Sequence, residues 1–481
     1  MTEVTAAGRD DLRPMVACLL PSLELLGCRQ LGRHQLKLCR FVRHLAFDWR
    51  RYCVVFSTDS SVGVSTFLSI FCQRSEFIST ALQPTMAAAV ADNNFTTVAA
   101  FTAIAIVLLS IFPPQKILLF IKSHRARREL RKLCASKDVG DDEDKPRVSG
   151  IFIHPIKSMR AVSIPETKFD KHGLPSDRRL MLVRPLPTPL HGSFAKGEAT
   201  HRFFTQRQAP SLATIEIKPV LSQDQTKILL KLSSKLASPE NDHAYIDTHP
   251  KTIKNCKVRY LAGLWEDTVE VADVGDDAAE FVANIVGKED DPSFKDVRVV
   301  SILESSMRKV SEKYCPDAAR VGFFSELPQG GLTDGFPLLV ATETSLELLN
   351  EKLKQKGKES LPMSRFRPNI VISNTTKAFD EDNWKAIKVG RGKDAVILHL
   401  VKGCPRCKQS CTDQLTGERG EEPVATLSEF RKFGAANEDV YFAVNAVLNG
   451  DSYDKAIKVG DPVTILTRGD AVWDLGYVPE E

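Results

Sequence analysis

The sequence predicts an α+β protein, mainly β, with one transmembrane helix ahead of two β-rich folded regions. Three observations carry that expectation. Short apolar runs with period-two alternation recur from 148 to about 290. From about 292 to 470, such runs alternate with helical patterns. Ahead of both stands an uncharged stretch, 95–112, followed by a run of cations.

The chain has 481 residues, enough for two or three domains. A net charge of +4 gives no reason to expect nucleic acid, and no RNA-binding or zinc-finger spacing is present. Its eleven cysteines lack the spacing of a disulfide framework. That fits a reducing compartment with free thiols or metal ligands.

Residues 1–90 differ from the rest. No acidic residue lies between Glu24 and Asp48, while Arg29, Arg33, Lys37, Arg40, Arg43 and His44 recur, and five cysteines fall here (Cys18, Cys28, Cys39, Cys53, Cys72). This reads as a variable or targeting extension, poorly ordered, and Met86 stands where a shorter chain could begin. The stretch 95–112 is about as long as the ~18–20 residues that cross a bilayer. Pro113-Pro114 break it, and Lys116, Lys122, His124, Arg125, Arg127, Arg128, Arg131 and Lys132 follow. The positive-inside rule then turns the remainder toward the cytosol. The expectation is an anchor over 95–121 and a basic, then acidic, linker over 122–146; a buried core helix is the alternative.

The folded part is expected from Arg147. Val148-Ser149-Gly150-Ile151-Phe152-Ile153 and Arg179-Leu180-Met181-Leu182-Val183-Arg184 are apolar strand runs. Ala213-Thr214-Ile215-Glu216-Ile217-Lys218 and Lys227-Ile228-Leu229-Leu230-Lys231-Leu232 alternate as half-buried strands do. Further on, leucines at helical spacing behind a Ser/Thr start predict a helix over 342–353. Asn369-Ile370-Val371-Ile372-Ser373 and Pro462-Val463-Thr464-Ile465-Leu466 read as strands, and 427–433 as a short helix. Gly390-Arg391-Gly392-Lys393-Asp394-Ala395 imitates a dinucleotide fingerprint, but a β-type run follows it, so a hairpin turn is expected.

The chemistry concentrates in Cys404-Pro405-Arg406-Cys407-Lys408-Gln409-Ser410-Cys411, directly after a β-type run. Thiolates are nucleophiles and soft metal ligands, and adjacent cations favour the thiolate form. Cys407, between Arg406 and Lys408, is the strongest candidate. A closed zinc or iron–sulfur site needs four ligands, and no second CxxC exists. The cluster therefore supports one metal thiolate better than a cage, with a structural thiol as the plain alternative for each cysteine. Three basic spots stand at strand ends: His154-Pro155-Ile156-Lys157-Ser158, Ser176-Asp177-Arg178-Arg179 and Arg365-Phe366-Arg367-Pro368-Asn369. Their loops can converge on an anion, for which arginine is well shaped.

Taken together, these segments resemble the MOSC family over about 148–470. Thr205-Gln206-Arg207-Gln208-Ala209-Pro210, Asp334-Gly335-Phe336-Pro337-Leu338-Leu339 and Ile457-Lys458-Val459-Gly460-Asp461-Pro462-Val463 extend the match. The resemblance implies an N-terminal β-rich MOSC-N domain over 147–290 and a C-terminal MOSC β-barrel domain with flanking helices over 292–475. It further implies a molybdenum–pterin (molybdopterin) cofactor, with Cys407 as the metal ligand and Cys404 as a neighbour. Lys157, Ser158, Arg178, Arg367, Asn369 and Arg406 would hold the pterin and its phosphate, and Asp334 would stand near the metal as a second catalytic residue. Family domains are also associated with pyridoxal phosphate. Where relatives carry Ile-Leu-Thr-Thr after the ligand cysteine, this chain has Lys408-Gln409-Ser410-Cys411.

The activity so implied is reduction of small N-hydroxylated compounds, such as amidoximes and hydroxylamines, at a membrane. No flavin, haem or Walker motif is present. Electrons are therefore expected from outside the chain, and the resemblance implies cytochrome b5 and NADH-cytochrome b5 reductase as the donors, at the mitochondrial outer membrane or the endoplasmic reticulum. The alternatives are a sulfur- or cofactor-transfer protein with a persulfide on Cys407, and a non-catalytic membrane tether.

Overall fold

A computed structural model of the chain describes residues 114–136, 144–190, 199–287, 292–322, 325–433 and 439–473. The principal strands are β1 (Arg147–Ile153), β2 (Val162–Ile164), β3 (Leu180–Leu190), β4 (Ala199–Phe204), β5 (Glu216–Leu221), β6 (Ile228–Ser233), β7 (His243–Asp247) and β8 (Arg259–Leu264). They continue with β9 (Asp267–Asp273), β10 (Arg298–Ile302), β11 (Leu338–Thr342), β12 (Ile370–Ser373), β13 (Trp384–Val389), β14 (Val396–Pro405), β15 (Asp439–Leu448) and β16 (Val463–Arg468). The main helices are α1 (Pro114–Ser136), α2 (Asp276–Val286) and α3 (Glu343–Gln355).

Strands β9, β10, β3, β4 and β8 close into a barrel in that order. Its wall is buried on both faces, which explains the unbroken apolar run of β3. Met181 and Val183 face one core with Phe203, Val271 and Val300. Leu180 and Leu182 face the other, against Phe281, Val282 and Ile285 of α2 and against Ile217, Leu230 and Ile246 of the small sheet β5-β6-β7.

The larger sheet runs β2-β1-β12-β11-β15-β14-β13-β16. The chain thus enters through this sheet before it builds the barrel. β1 lies antiparallel to β12, with Ile151 opposite Ile370. This sheet curls until β1 meets the segment that leads into β16. Arg147 bridges Pro462, Val148 N donates to the Asp461 carbonyl at 2.9 Å, Gly460 N to the Val148 carbonyl at 2.8 Å and Val463 N to the Pro146 carbonyl at 2.7 Å. These bonds lie along the seam at which the C-terminal barrel expected from the resemblance would close. Residues 390–395 do form the hairpin connection between antiparallel β13 and β14, with Gly390 and Gly392 at φ 85° and 61°. The short helix expected over 427–433 is shifted: helix spans Val424–Leu427. Beyond it, Tyr441 N donates to the Arg431 carbonyl and Lys432 pairs with Val440, so β15 claims the backbone that would have continued the helix.

The expected transmembrane helix is corrected. Among the described residues, no helix is long and apolar enough to cross a membrane. The stretch 95–112 lies outside the described residues. The end of the expected anchor, from Pro114, is the start of α1, which carries cations on successive turns and cannot present an uncharged span. α1 also takes up the first part of the expected linker and docks on the larger sheet. Leu130, Leu133 and Cys134 pack on Ala386, Ile397 and Leu466. Arg127 Nη1 donates to the Arg320 carbonyl at 2.6 Å, and Lys388 Nζ donates to the Cys134 carbonyl at 3.2 Å. Gly450 lies under this contact, where a Cβ would strike the Arg320 carbonyl and the Arg127 guanidinium.

Helix α3 starts at an N-cap, Thr342, whose Oγ1 accepts from Ser345 N at 3.3 Å. Beneath it lies Glu381, fully buried. Ser345 Oγ and Thr342 Oγ1 donate to its carboxyl at 2.7 and 3.1 Å. Burial, reinforced by the charge of Asp382, pushes Glu381 up to about 7.

Two predictions follow from these contacts. Arg127→Ala should destabilise the protein by about 1.5–3 kcal/mol, because a buried charged donor leaves a buried carbonyl unpaired. Limited proteolysis should then cut within 114–146 earlier than in the wild type, and unchanged cleavage would contradict the docking. For Glu381, the folded state holds a proton more tightly than the unfolded chain. Stability should therefore fall as pH rises from the ordinary carboxyl value through about 7, by an amount on the order of 3 kcal/mol, then level off. Glu381→Gln should flatten that part of the pH–denaturation profile.

Candidate functional site

The pairing of β1 with β12 places the loop after β1 beside the loop before β12. Phe152 N donates to the Asn369 carbonyl at 2.8 Å. Asn369, fully buried, then ties three segments together. Its Nδ2 donates to the Phe152 carbonyl and to Asp177 Oδ1, both at 3.1 Å, while its Oδ1 accepts from Arg178 Nη1 and Leu339 N, also at 3.1 Å. Arg178 Nη1 meets Asp177 Oδ2 at 2.7 Å, and Nη2 donates to the Arg367 carbonyl at 3.2 Å. Asn369 is thus a junction more than a free ligand-binding group.

Lys157, also buried, donates to the Leu332 carbonyl at 2.9 Å and pairs closely with Asp334. Burial lowers Lys157 to about 8 against the opposing pull of Asp334. Burial resists ionisation of Asp334, but the charges of Lys157 and Arg207 and the hydrogen bonds from Lys157 and Trp265 prevail and hold it well below the ordinary carboxyl range. The side chain of Asp334 is nevertheless 55% exposed, so it stands at the mouth of the group.

Ser158, Arg178 and Arg367 share an unusual backbone. Their φ angles are 70°, 47° and 56°, in the left-handed region that non-glycine residues rarely occupy. Each costs roughly 1–2 kcal/mol, which the surrounding hydrogen bonds must offset. Such strain collects where side chains have to be aimed.

Several buried polar atoms here have no protein partner: Ser158 Oγ, Arg367 Nη2, Arg207 Nη1, Gln206 Oε1 and Thr412 Oγ1. They belong to one neighbourhood. Arg367 Nη1 donates to the Met159 carbonyl, Gln206 Nε2 donates to the Ser158 carbonyl at 2.7 Å, and Arg419 donates to the carbonyls of Gln206 and Arg207. Thr412 forms a bridge with Arg419. Among the described residues, the carboxylates that face Lys157, Arg178, Arg207 and Arg367 are Asp177 and Asp334. Burial, then the charge of Arg178, lowers Arg367 to about 9, and burial with the same two arginines holds His154 well below its usual value. A surplus of buried positive charge with unpaired donors fits an anionic ligand rich in acceptors, such as a pterin phosphate.

The cysteine segment completes the picture. β14 ends at Pro405, and Cys407 caps a short 3-10 turn, Lys408–Cys411. Cys407 is exposed, Cys411 is buried, and Cys404 is half-buried. Burial pushes the Cys404 and Cys411 thiols up. Asp334 acts electrostatically on Cys404, which links this segment to the Lys157 group. Arg406 does not join the cationic group. Its guanidinium donates to the carbonyls of Phe442 at 2.7 and 2.9 Å and of Phe366 at 3.0 Å, and so it fixes the turn that carries Cys407. His399 points into the core, 2.9 Å from Asn449 Oδ1. Among the described residues, no cluster of three or more His, Cys, Asp or Glu forms a metal cage.

Sequence motifs therefore nominated Lys157, Ser158, Arg178, Arg367, Asn369 and Asp334, which the fold brings together, and Arg406, which it directs elsewhere. They passed over Asp177 and Arg207 as individual residues, although both lie inside motifs, and over Trp265, which lies in none. An open groove beside β1 and α3, lined by Phe152, Leu346 and Met363, contains none of these residues.

Comparison with known proteins bears on this arrangement. The model of the MOSC domain matches residues 329–464, and that of the MOSC N-terminal beta barrel domain matches 145–289. Mitochondrial amidoxime-reducing component 1 of Xenopus laevis is 28% identical over 351 residues, covering 69% of this chain and 86% of that protein. Molybdenum cofactor sulfurase of Aspergillus terreus is 33% identical over 141 residues, which cover 27% of this chain and only 16% of the sulfurase. The sulfurase of Bos taurus is 25% identical over 310 residues, covering 62% of this chain and 31% of that protein. The chain thus spans most of the amidoxime-reducing relative and a minor part of the sulfurases.

Exposure and thiol chemistry together predict a reactivity order. At pH 7.5, iodoacetamide should modify Cys407 at least about tenfold faster than Cys404 or Cys411, because the thiolate is the reacting form. Peptide mass mapping over time measures this, and faster labelling of Cys404 would contradict the geometry.

Proposed function

The chain belongs to the MOSC-domain family, and from that premise we propose that it is a molybdenum-cofactor oxidoreductase that reduces N-hydroxylated compounds. The observation that carries the reading is the set of unpartnered buried polar atoms among surplus cations, four of the five able to donate (Arg367 Nη2, Arg207 Nη1, Ser158 Oγ and Thr412 Oγ1), beside a segment that carries an exposed thiol. When bound, a molybdenum–pterin cofactor would supply the two-electron chemistry that removes the oxygen of an N–OH group.

The chain's own residues would do the rest. The Cys407 thiolate would be the soft donor to the metal. Arg367, Ser158 and Arg207 would supply donors to the acceptor-rich part of the cofactor, with Lys157 and Arg178 adding charge. Asn369 and Asp177 aim Arg178, and Arg406 fixes the turn that presents Cys407. Lys157 Nζ, lowered to about 8, holds a proton at neutral pH beside the ionised Asp334. Electrons come from outside the chain; cytochrome b5 and its NADH-dependent reductase are the proposed donors.

A second reading has its own support. Relatives named as cofactor sulfurases match a shorter segment at 33% identity. The exposed Cys407 could then carry a persulfide for transfer to a cofactor.

Elemental analysis and turnover separate the two. Purified protein should hold near-stoichiometric molybdenum and reduce benzamidoxime when supplied with the proposed donors. Cys407→Ser should lower turnover to background with an unchanged melting transition, while Cys404→Ser should retain much of it. Persulfide on Cys407 without molybdenum would favour the transfer reading. Equal loss in both variants would contradict a single-thiol site.

A further inference from the structure

Trp265 sits in the connection between β8 and β9, at φ 56°. This is a backbone region that suits glycine or asparagine and strains a bulky side chain. The indole is nonetheless held by directed contacts. Its Nε1 donates to Asp334 Oδ1 at 3.1 Å. The Arg207 guanidinium lies 4.9 Å from the ring centroid, and the Phe203 ring tilts against it at 5.1 Å. Even so, Trp265 is 39% exposed. A packing role would bury this indole, and an ordinary surface turn would not hold it against an arginine and a carboxylate.

Asp334 is used unevenly. Oδ1 takes both Lys157 and Trp265, whereas Oδ2 has no hydrogen bond among the described residues, and Arg207 stands 3.7 Å from it, too far for one. The half-exposed carboxylate thus keeps one acceptor oxygen without a hydrogen bond, and the indole bonded to its other oxygen is itself 39% exposed. That pairing of a flat apolar surface with one oriented acceptor is how binding sites select planar molecules with N–H donors.

We propose that Trp265 and Asp334 form the substrate lip: a flat, π-delocalised N-hydroxylated compound of the amidine type stacks on the indole and donates an N–H to Asp334 Oδ2. The proposal rests on the reading of the preceding subsection and adds to it a preference for planar over saturated N-hydroxyl substrates. Arg207, over the ring at 4.9 Å from its centroid, steadies the platform and leaves the other face for the substrate. Trp265 touches substrate without taking part in the bond changes.

The test uses the holoenzyme and compares benzamidoxime with N-methylhydroxylamine. In Trp265→Ala the ratio of their kcat/KM values should fall about tenfold, chiefly through KM for benzamidoxime. Trp265→Phe should recover most of that ratio, because it keeps a flat ring. An unchanged ratio in Trp265→Ala overturns the platform. A second readout needs no turnover: benzamidoxime should quench tryptophan fluorescence of the wild type, and Trp265→Phe should lose that quench. Quenching that persists in Trp265→Phe overturns the proposal. If the wild type reduces neither compound yet the Trp265-dependent quench is present, the reductase reading fails while the aromatic site stands.

Discussion

The antiparallel pairing of β1 with β12 is the constraint on which the site depends. It joins the first strand of the folded chain to one more than two hundred residues later; the bond between Asn369 and Phe152, for example, spans 217 positions. Were β1 to pair only within the barrel half, Lys157 and Ser158 would belong to a different lobe from Arg367 and Asn369. Buried Val148 and Ile151 anchor β1 in the larger core, each contributing roughly 1.5–3 kcal/mol. Those contacts and the saturated hydrogen bonding of Asn369 hold Ser158, Arg178 and Arg367 in their strained conformations. The strain is local, and the stabilisation that sustains it comes from the sheet.

Electrostatics divides the region into parts with different tasks. Arg367 and His154 register a strong positive field, since both have lost proton affinity to burial and to neighbouring guanidinium groups. Around Cys404 the balance differs, because burial and the charge of Asp334 disfavour a thiolate there. Of the three cysteines in the segment, the exposed one is therefore the one placed to react. The nearby cations of Arg406 and Arg365 are committed to carbonyls and to Asp413, so they build the turn and leave ligand binding to the Lys157 group.

Much of this was legible in the sequence, for identifiable reasons. Short apolar runs marked β1 and β3, period-two alternation marked β5 and β6, and the apolar run through 400 with its glycine-containing turn marked the β13–β14 hairpin. Motifs at strand ends nominated most of the cationic group, because a loop leaving a strand has few directions in which to project its side chains. Three things were hidden. The docking of α1 depends on the Arg320 carbonyl and on the bare surface at Gly450, neither of which periodicity can register. Arg406 has the chemistry of a phosphate ligand, and only the positions of the Phe366 and Phe442 carbonyls reveal its other use. Trp265 lies in a hairpin connection without any motif, and its meaning arises from Asp334, contributed by a distant loop.

X-ray absorption at the molybdenum edge of the purified protein tests the central claim most directly. The account predicts a sulfur donor from the polypeptide, so the sulfur count at the metal should drop by one in Cys407→Ser and stay the same in Cys404→Ser. An identical sulfur shell in the wild type and Cys407→Ser would contradict it.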